Sequence, residues 1–176
     1  VAEEVLVEKL YNQDGPAGMM YFSQYLKRLS RVLCYTFVCD GQAVATLTPF
    51  SPPSTYQFQD KILEKSTAYT LSRFAYMRRN ETGQLIIESL LGRAQIQVHD
   101  PRVGALFSAL STPHTTADLA VNSGMPLALS TAVMTLLANA QVIAPIGEDG
   151  QAVEESDPAL AQWEFPDLMF HKHIRL

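Results

Sequence analysis

The sequence predicts an α+β chain: two tandem winged helix-turn-helix modules, the first incomplete, followed by a helical connector. Three observations carry that prediction. Residues 1–50 read helix, turn, helix, hairpin, which is the order of the second half of such a module. Residues 69–150 read three strands, three short helices and a terminal strand, so the first unit repeats the last part of the second. Between them, residues 51–68 carry polar and turn residues with no clear period, as a linker does.

The first unit opens with Val5, Leu6 and Leu10 at helical spacing, and Gln13-Asp14-Gly15-Pro16 breaks that helix. A second helix is predicted over 17–31, with Met19, Met20, Phe22, Tyr25, Leu26 and Leu29 as a broad buried stripe. Lys27, Arg28 and Arg31 suit its C-terminal dipole. Residues 32–39 are β-branched and aromatic, Asp40-Gly41 is a hairpin signal, and 44–47 return as the second strand.

In the second unit, residues 70–79 alternate as one strand, Glu81-Thr82-Gly83 turns, and 85–87 form the next strand. Leu90-Leu91-Gly92-Arg93 bends the chain. Ala94, Ile96 and Val98 then alternate with Gln95, Gln97 and His99, the clearest half-buried strand in the sequence. Asp100-Pro101 starts a helix over 103–110, with the Asp as cap and Pro at the first position. Thr115 or Thr116 caps a second helix that Gly124 stops. Pro126 opens a third, with Leu129, Val133, Leu136 and Leu137 as its stripe, and 141–146 form a strand. After Gly150 come the acidic Glu154-Glu155-Ser156-Asp157 and a connector over 151–176 with Trp163, Phe165 and Phe170. The abrupt helical patterns at both ends predict a segment of a longer protein.

Composition narrows the function. The chain has 176 residues, 47% hydrophobic and 18% charged, which is a folded globular balance. No apolar run approaches the ~18 residues of a spanning helix, so no membrane partner is expected. Two cysteines without framework spacing fit a reducing, cytoplasmic compartment. A net charge of -5 argues against bulk attraction to nucleic acid. The helix over 126–140 carries no Lys or Arg, so as a recognition helix it would lack the phosphate contacts that supply most non-specific affinity. A DNA-binding regulator is therefore the weakest alternative. The same shape can capture an extended peptide by strand addition beside a helix. On that reading Ala94, Ile96, Val98, Leu129 and Val133 are the candidate peptide contacts. Cys34 and Cys39 point to opposite faces of one strand, and no set of four close ligands exists, so no metal site is expected. No catalytic constellation or Gly-rich phosphate loop occurs.

A resemblance sharpens this. Leu160-Ala161-Gln162-Trp163-Glu164-Phe165-Pro166-Asp167-Leu168-Met169-Phe170-His171 resembles the segment preceding the flavin domain in SagB/ThcOx-type dehydrogenases, the nitroreductase-like azoline oxidases of ribosomal peptide (RiPP) and cyanobactin biosynthesis. The family pattern there is close to Trp-Glu-Phe-x-Asp-Leu-x-Phe-His-x-Arg-Ser-Arg. Leu71-Ser72-Arg73-Phe74-Ala75-Tyr76, His99-Asp100-Pro101-Arg102 and Cys39-Asp40-Gly41-Gln42 with Thr46-Leu47 agree as well. His173 and Ile174 stand where Arg and Ser are usual, while Arg175 matches.

The resemblance implies precursor-peptide-recognition-like modules ahead of a nitroreductase-like domain, on the same or a companion chain, that binds FMN and is usually a homodimer. The flavin accepts hydride from a thiazoline or oxazoline ring and leaves a thiazole or oxazole. The family's Arg-Arg-Ser-x-Arg phosphate motif does not occur, so no catalytic or cofactor-binding residue is assigned, and FMN is expected in the parent enzyme but not on this segment alone. The first expected role is engagement of the precursor peptide. The alternative is structural docking on the oxidase dimer through Trp163, Phe165 and Phe170.

Overall fold

A computed structural model describes residues 3–29, 32–50, 56, 58–59, 63–64 and 66–174. Most of the expected linker over 51–68 lies outside the described residues, as do Arg31, Arg175 and the side chain of Lys27. The described chain is mixed α/β, with five α-helices and antiparallel sheets.

Helix α1 (Glu3–Leu29) is two helical stretches joined at Gly15, whose φ of 63° is the left-handed conformation that glycine adopts freely. Pro16 follows and has no N–H to offer the preceding turn. The expected break is therefore where Gln13-Asp14-Gly15-Pro16 put it. The expected burial is not. Met20, Tyr25 and Leu29 are exposed and Met19, Phe22 and Leu26 only half-buried, because no other element packs extensively on α1 among the described residues.

Strands β1 (Tyr35–Cys39) and β2 (Gln42–Pro49) form the hairpin that Asp40-Gly41 predicts, both turn residues having positive φ. The predicted strand over 70–79 is in fact two, β3 (Tyr69–Leu71) and β4 (Ala75–Arg79), lying in different sheets. The corner between them is made by the Ala75 N–H bonding to Ser72 O at 2.9 Å, and Phe74 is fully buried inside it. Alternation alone could not show this corner, because a buried Phe keeps the period whether or not the chain turns.

Strands β5 (Leu85–Ser89) and β6 (Ala94–Val98) complete a five-stranded sheet in the order β1-β2-β6-β5-β4. The hairpin expected to close a first module thus lies in the sheet of the second: β2 pairs antiparallel with β6, Leu47 opposite Ile96 and Ala45 opposite Val98. Thr46 and Thr48 fall opposite Gln97 and Gln95 on the other face, so the two apolar alternations coincide.

Three helices cover the apolar face. In α2 (Pro101–Ala109), the Asp100 carboxylate caps by accepting the Arg102 N–H at 2.9 Å. In α3 (Thr116–Ser123), Thr115 and Asp118 form a reciprocal capping box, and Gly124 closes the helix at φ 65°. The chain then turns through 116° into α4 (Leu127–Asn139), and α3 packs against both neighbours. Leu47, Ile87, Ile96, Leu106, Leu119, Met134, Leu136 and Leu137 are sealed between sheet and helices. Each such side chain contributes roughly 1.5–3 kcal/mol by leaving water. Strand β7 (Ile143–Pro145) pairs with β3 in a second, two-stranded sheet. A 3-10 turn (Val153–Ser156) and helix α5 (Phe165–Ile174) follow.

Candidate functional site

The five side chains expected to meet a peptide, Ala94, Ile96, Val98, Leu129 and Val133, do come together, but inside the core. All are buried and belong to one apolar cluster. Strand β6 has a neighbour on each side, β2 and β5, so a peptide has no edge of β6 to join. The reason is long-range. Strand β2 arrives from about fifty residues upstream and takes the edge that the local three-strand reading leaves open. The edge strands of this sheet are instead β1 and β4.

The surroundings of β1 hold a polar arrangement of another kind. Asn139, buried at the end of α4, accepts the Gln59 N–H at 2.8 Å through its side-chain oxygen. Its amide nitrogen donates to Gln59 O at 2.6 Å and to Thr135 O at 2.9 Å. Its acceptor and both its donors are therefore engaged. Phe58 stacks on Tyr35 of β1 with ring centroids 4.1 Å apart and planes 16° from parallel. Tyr56 is buried, and its hydroxyl has no hydrogen-bond partner among the described residues. Burial, reinforced by the neighbouring Tyr35, raises the Tyr56 pKa far above the ordinary tyrosine value. No sequence pattern announced this contact, since Asn139 and Gln59 lie 80 residues apart.

The outer face of the sheet carries a second cluster. Glu88 on β5 is buried, accepts the Tyr76 hydroxyl at 2.6 Å and is ion-paired with Arg78. Tyr76 is pushed up to about 12, by burial first and then by the hydrogen bond to Glu88. Phe165 of α5 meets the Tyr76 ring edge-on at 5.8 Å. Of the three residues expected to dock on another domain, Phe165 is thus already placed against this chain. Trp163 packs edge-on against His171 at 4.9 Å, and Phe170 is 66% exposed.

Arg73 ties the connector down. Its backbone N–H donates to Glu154 at 2.8 Å, its guanidinium donates to Leu160 O at 2.6 Å and pairs with Glu155 at 3.4 Å, and it lies over the Phe74 ring. Arg73, Arg78 and Arg102 are all committed to carboxylates within the chain. With their charge already met in this way, these three guanidinium groups do not fit a flavin phosphate. Among the described residues no three His, Cys, Asp or Glu side chains converge as a metal site, and no single helix is long and apolar enough to cross a membrane.

Residues 69–176, more than half of the chain, match the family model of the cyanobactin oxidase ThcOx. The chain belongs to the ThcOx family. No curated protein matches it. The matched region starts at β3 and takes in α2 to α4, the Arg73 anchor and the aromatic connector, so every part of the outer-face cluster lies within it. The ThcOx match also contains the tail motif on which the sequence resemblance rests.

Proposed function

We propose that this chain is the substrate-peptide-engaging part of an FMN-dependent, cytoplasmic oxidase that dehydrogenates thiazoline or oxazoline rings in a ribosomal precursor peptide. The match to the cyanobactin oxidase ThcOx family carries the reading. Two features support the peptide role. The three-residue turn Gly124-Met125-Pro126 and the 116° bend between α3 and α4 suit a helix-turn-helix of the winged type. Helix α4 carries no cation, which suits a neutral peptide far better than a phosphate backbone. On this reading the flavin belongs to a nitroreductase-like domain outside this chain, in a homodimeric parent. The flavin supplies the redox chemistry, and this part raises the local concentration of the peptide rings.

A labelled synthetic peptide bearing a thiazoline, titrated against the chain by fluorescence anisotropy, tests the reading. Saturable binding that survives 0.5 M salt (about a 4 Å screening length) is expected. Absence of binding would sink the peptide role. A second reading, structural docking on the flavin domain, draws on the exposed Phe170 and the uncovered apolar residues of α1. It predicts that a parent enzyme lacking this region loses its dimer and not only its affinity for peptide.

A further inference from the structure

The contact between Asn139 and Gln59 has the form of ligand recognition. A side-chain amide that meets both the N–H and the C=O of one residue reads backbone and ignores the side chain, and Gln59 itself is exposed. Specificity then rests on the neighbouring residue, Phe58, whose ring stacks on Tyr35. Asn139 is buried, and Gln59 supplies two of the three hydrogen-bond partners that make its burial tolerable. The Tyr56 hydroxyl, on the same segment as Gln59, is buried without a partner among the described residues, so this segment leaves one of its own polar groups unsatisfied where it lies.

We propose that the groove between the C-terminal end of α4 and edge strand β1 is a seat for an extended peptide, and that the chain's own Tyr56, Phe58 and Gln59 fill it as an internal ligand that a substrate peptide displaces. This rests on the peptide-engaging reading. The groove would take a segment with an aromatic side chain immediately before the residue that Asn139 clamps. An internal ligand competes at an effective concentration in the millimolar range. The free peptide therefore sees its affinity reduced by the fraction of molecules whose seat is open. Emptying the seat should tighten binding, whereas damaging a purely structural anchor should not.

The probe is a fluorescein-labelled peptide with the sequence of residues 56–63, titrated against the full chain. Phe58→Ala removes the stack and leaves Tyr35 and Asn139 in place. Gln59→Pro removes the clamped N–H at an exposed position, so one variant stays informative if the other unfolds. Each folded variant should bind the probe about tenfold more tightly than the wild type. Adding Asn139→Leu should abolish that gain, and the Asn139 side-chain amide resonances should move on saturation. A folded variant that binds no more tightly than the wild type, or Asn139 resonances that stay put, overturns the seat. A thiazoline-bearing peptide separates the two ideas. If it binds wild type and variants equally without moving Asn139, the seat fails and the peptide-engaging reading stands. If it binds none of them, the reading fails and displacement by substrate fails with it.

Discussion

Glu88 is a carboxylate almost sealed from water, and two neighbours make that tolerable. The Tyr76 hydroxyl and the Arg78 guanidinium both donate to it, which replaces lost hydration with charge-assisted bonds. Burial first, and then the bond to Glu88, hold the Tyr76 proton in place and move its pKa from the ordinary 10.0 to about 12. A pKa raised on folding adds stability that is complete below the unfolded value and fades as pH rises through the folded one. Denaturant titrations from pH 9 to pH 12 should therefore show a loss of stability between about 10 and 12. In Tyr76→Phe that component should vanish. At neutral pH the variant should be weaker by about 1.5–3 kcal/mol, the usual range for a hydrogen bond to a charged group. An unchanged alkaline profile in Tyr76→Phe would remove Tyr76 from this account.

Between elements, two joints decide how the sheet meets its helices and its connector. The first is the bend between β5 and β6. A Cβ at Gly92 would run into the carbonyl oxygen of Ala140, just past the end of α4. No side-chain rotation relieves a clash between two backbones. Gly92→Ala should cost about 3 kcal/mol, the top of the usual overpacking range, read as a lower denaturant midpoint. A neutral Gly92→Ala would show that the α4 end can move away from the sheet. The second joint is Arg73. Its guanidinium bonds to Leu160 O and Glu155 are the contacts that Arg73→Ala removes, while the backbone bond to Glu154 stays. Hydrogen exchange should then quicken across residues 152–164 and stay unchanged in β6 and α4. Faster exchange spread over the whole sheet would make Arg73 a determinant of global rather than local stability.

Taken as one body, the chain has a stable centre and an uncovered arm. Burial is concentrated where β2, β6 and β5 meet α2, α3 and α4, whereas α1 leaves Met20, Tyr21 and Tyr25 more than half exposed. A helix that buries so little contributes little to the folding equilibrium. Removing residues 1–31 should shift the melting temperature by less than about 2 °C, since ~1 kcal/mol corresponds to 2–4 °C at this size. A larger drop would mean that α1 is covered in solution, by this chain or by a second copy, and sedimentation at two concentrations would tell which.

Local chemistry was legible in the residues themselves. Asp40-Gly41, Gly15-Pro16, the Asp100 cap and the Gly124 stop each act over a few bonds and lie where those residues predict, and of the two candidate caps Thr115 and Thr116 it is Thr115 that caps. The family, too, was readable, because Trp163, Phe165 and the Arg73 corner sit within short, distinctive motifs. Other features depended on partners far along the chain. Periodicity marked Met19–Leu29 as apolar on one side but could not say whether anything lies against it. Alternation identified Ala94, Ile96 and Val98 as one face, yet a strand's edge is open or closed according to which other strand arrives, and β2 arrives from outside the unit. The clamp of Asn139 on Gln59 joins residues 80 positions apart. Propensity, capping and turn geometry are properties of neighbouring residues and so are written in the sequence. Burial and edge occupancy depend on surfaces that exist only once distant segments have met.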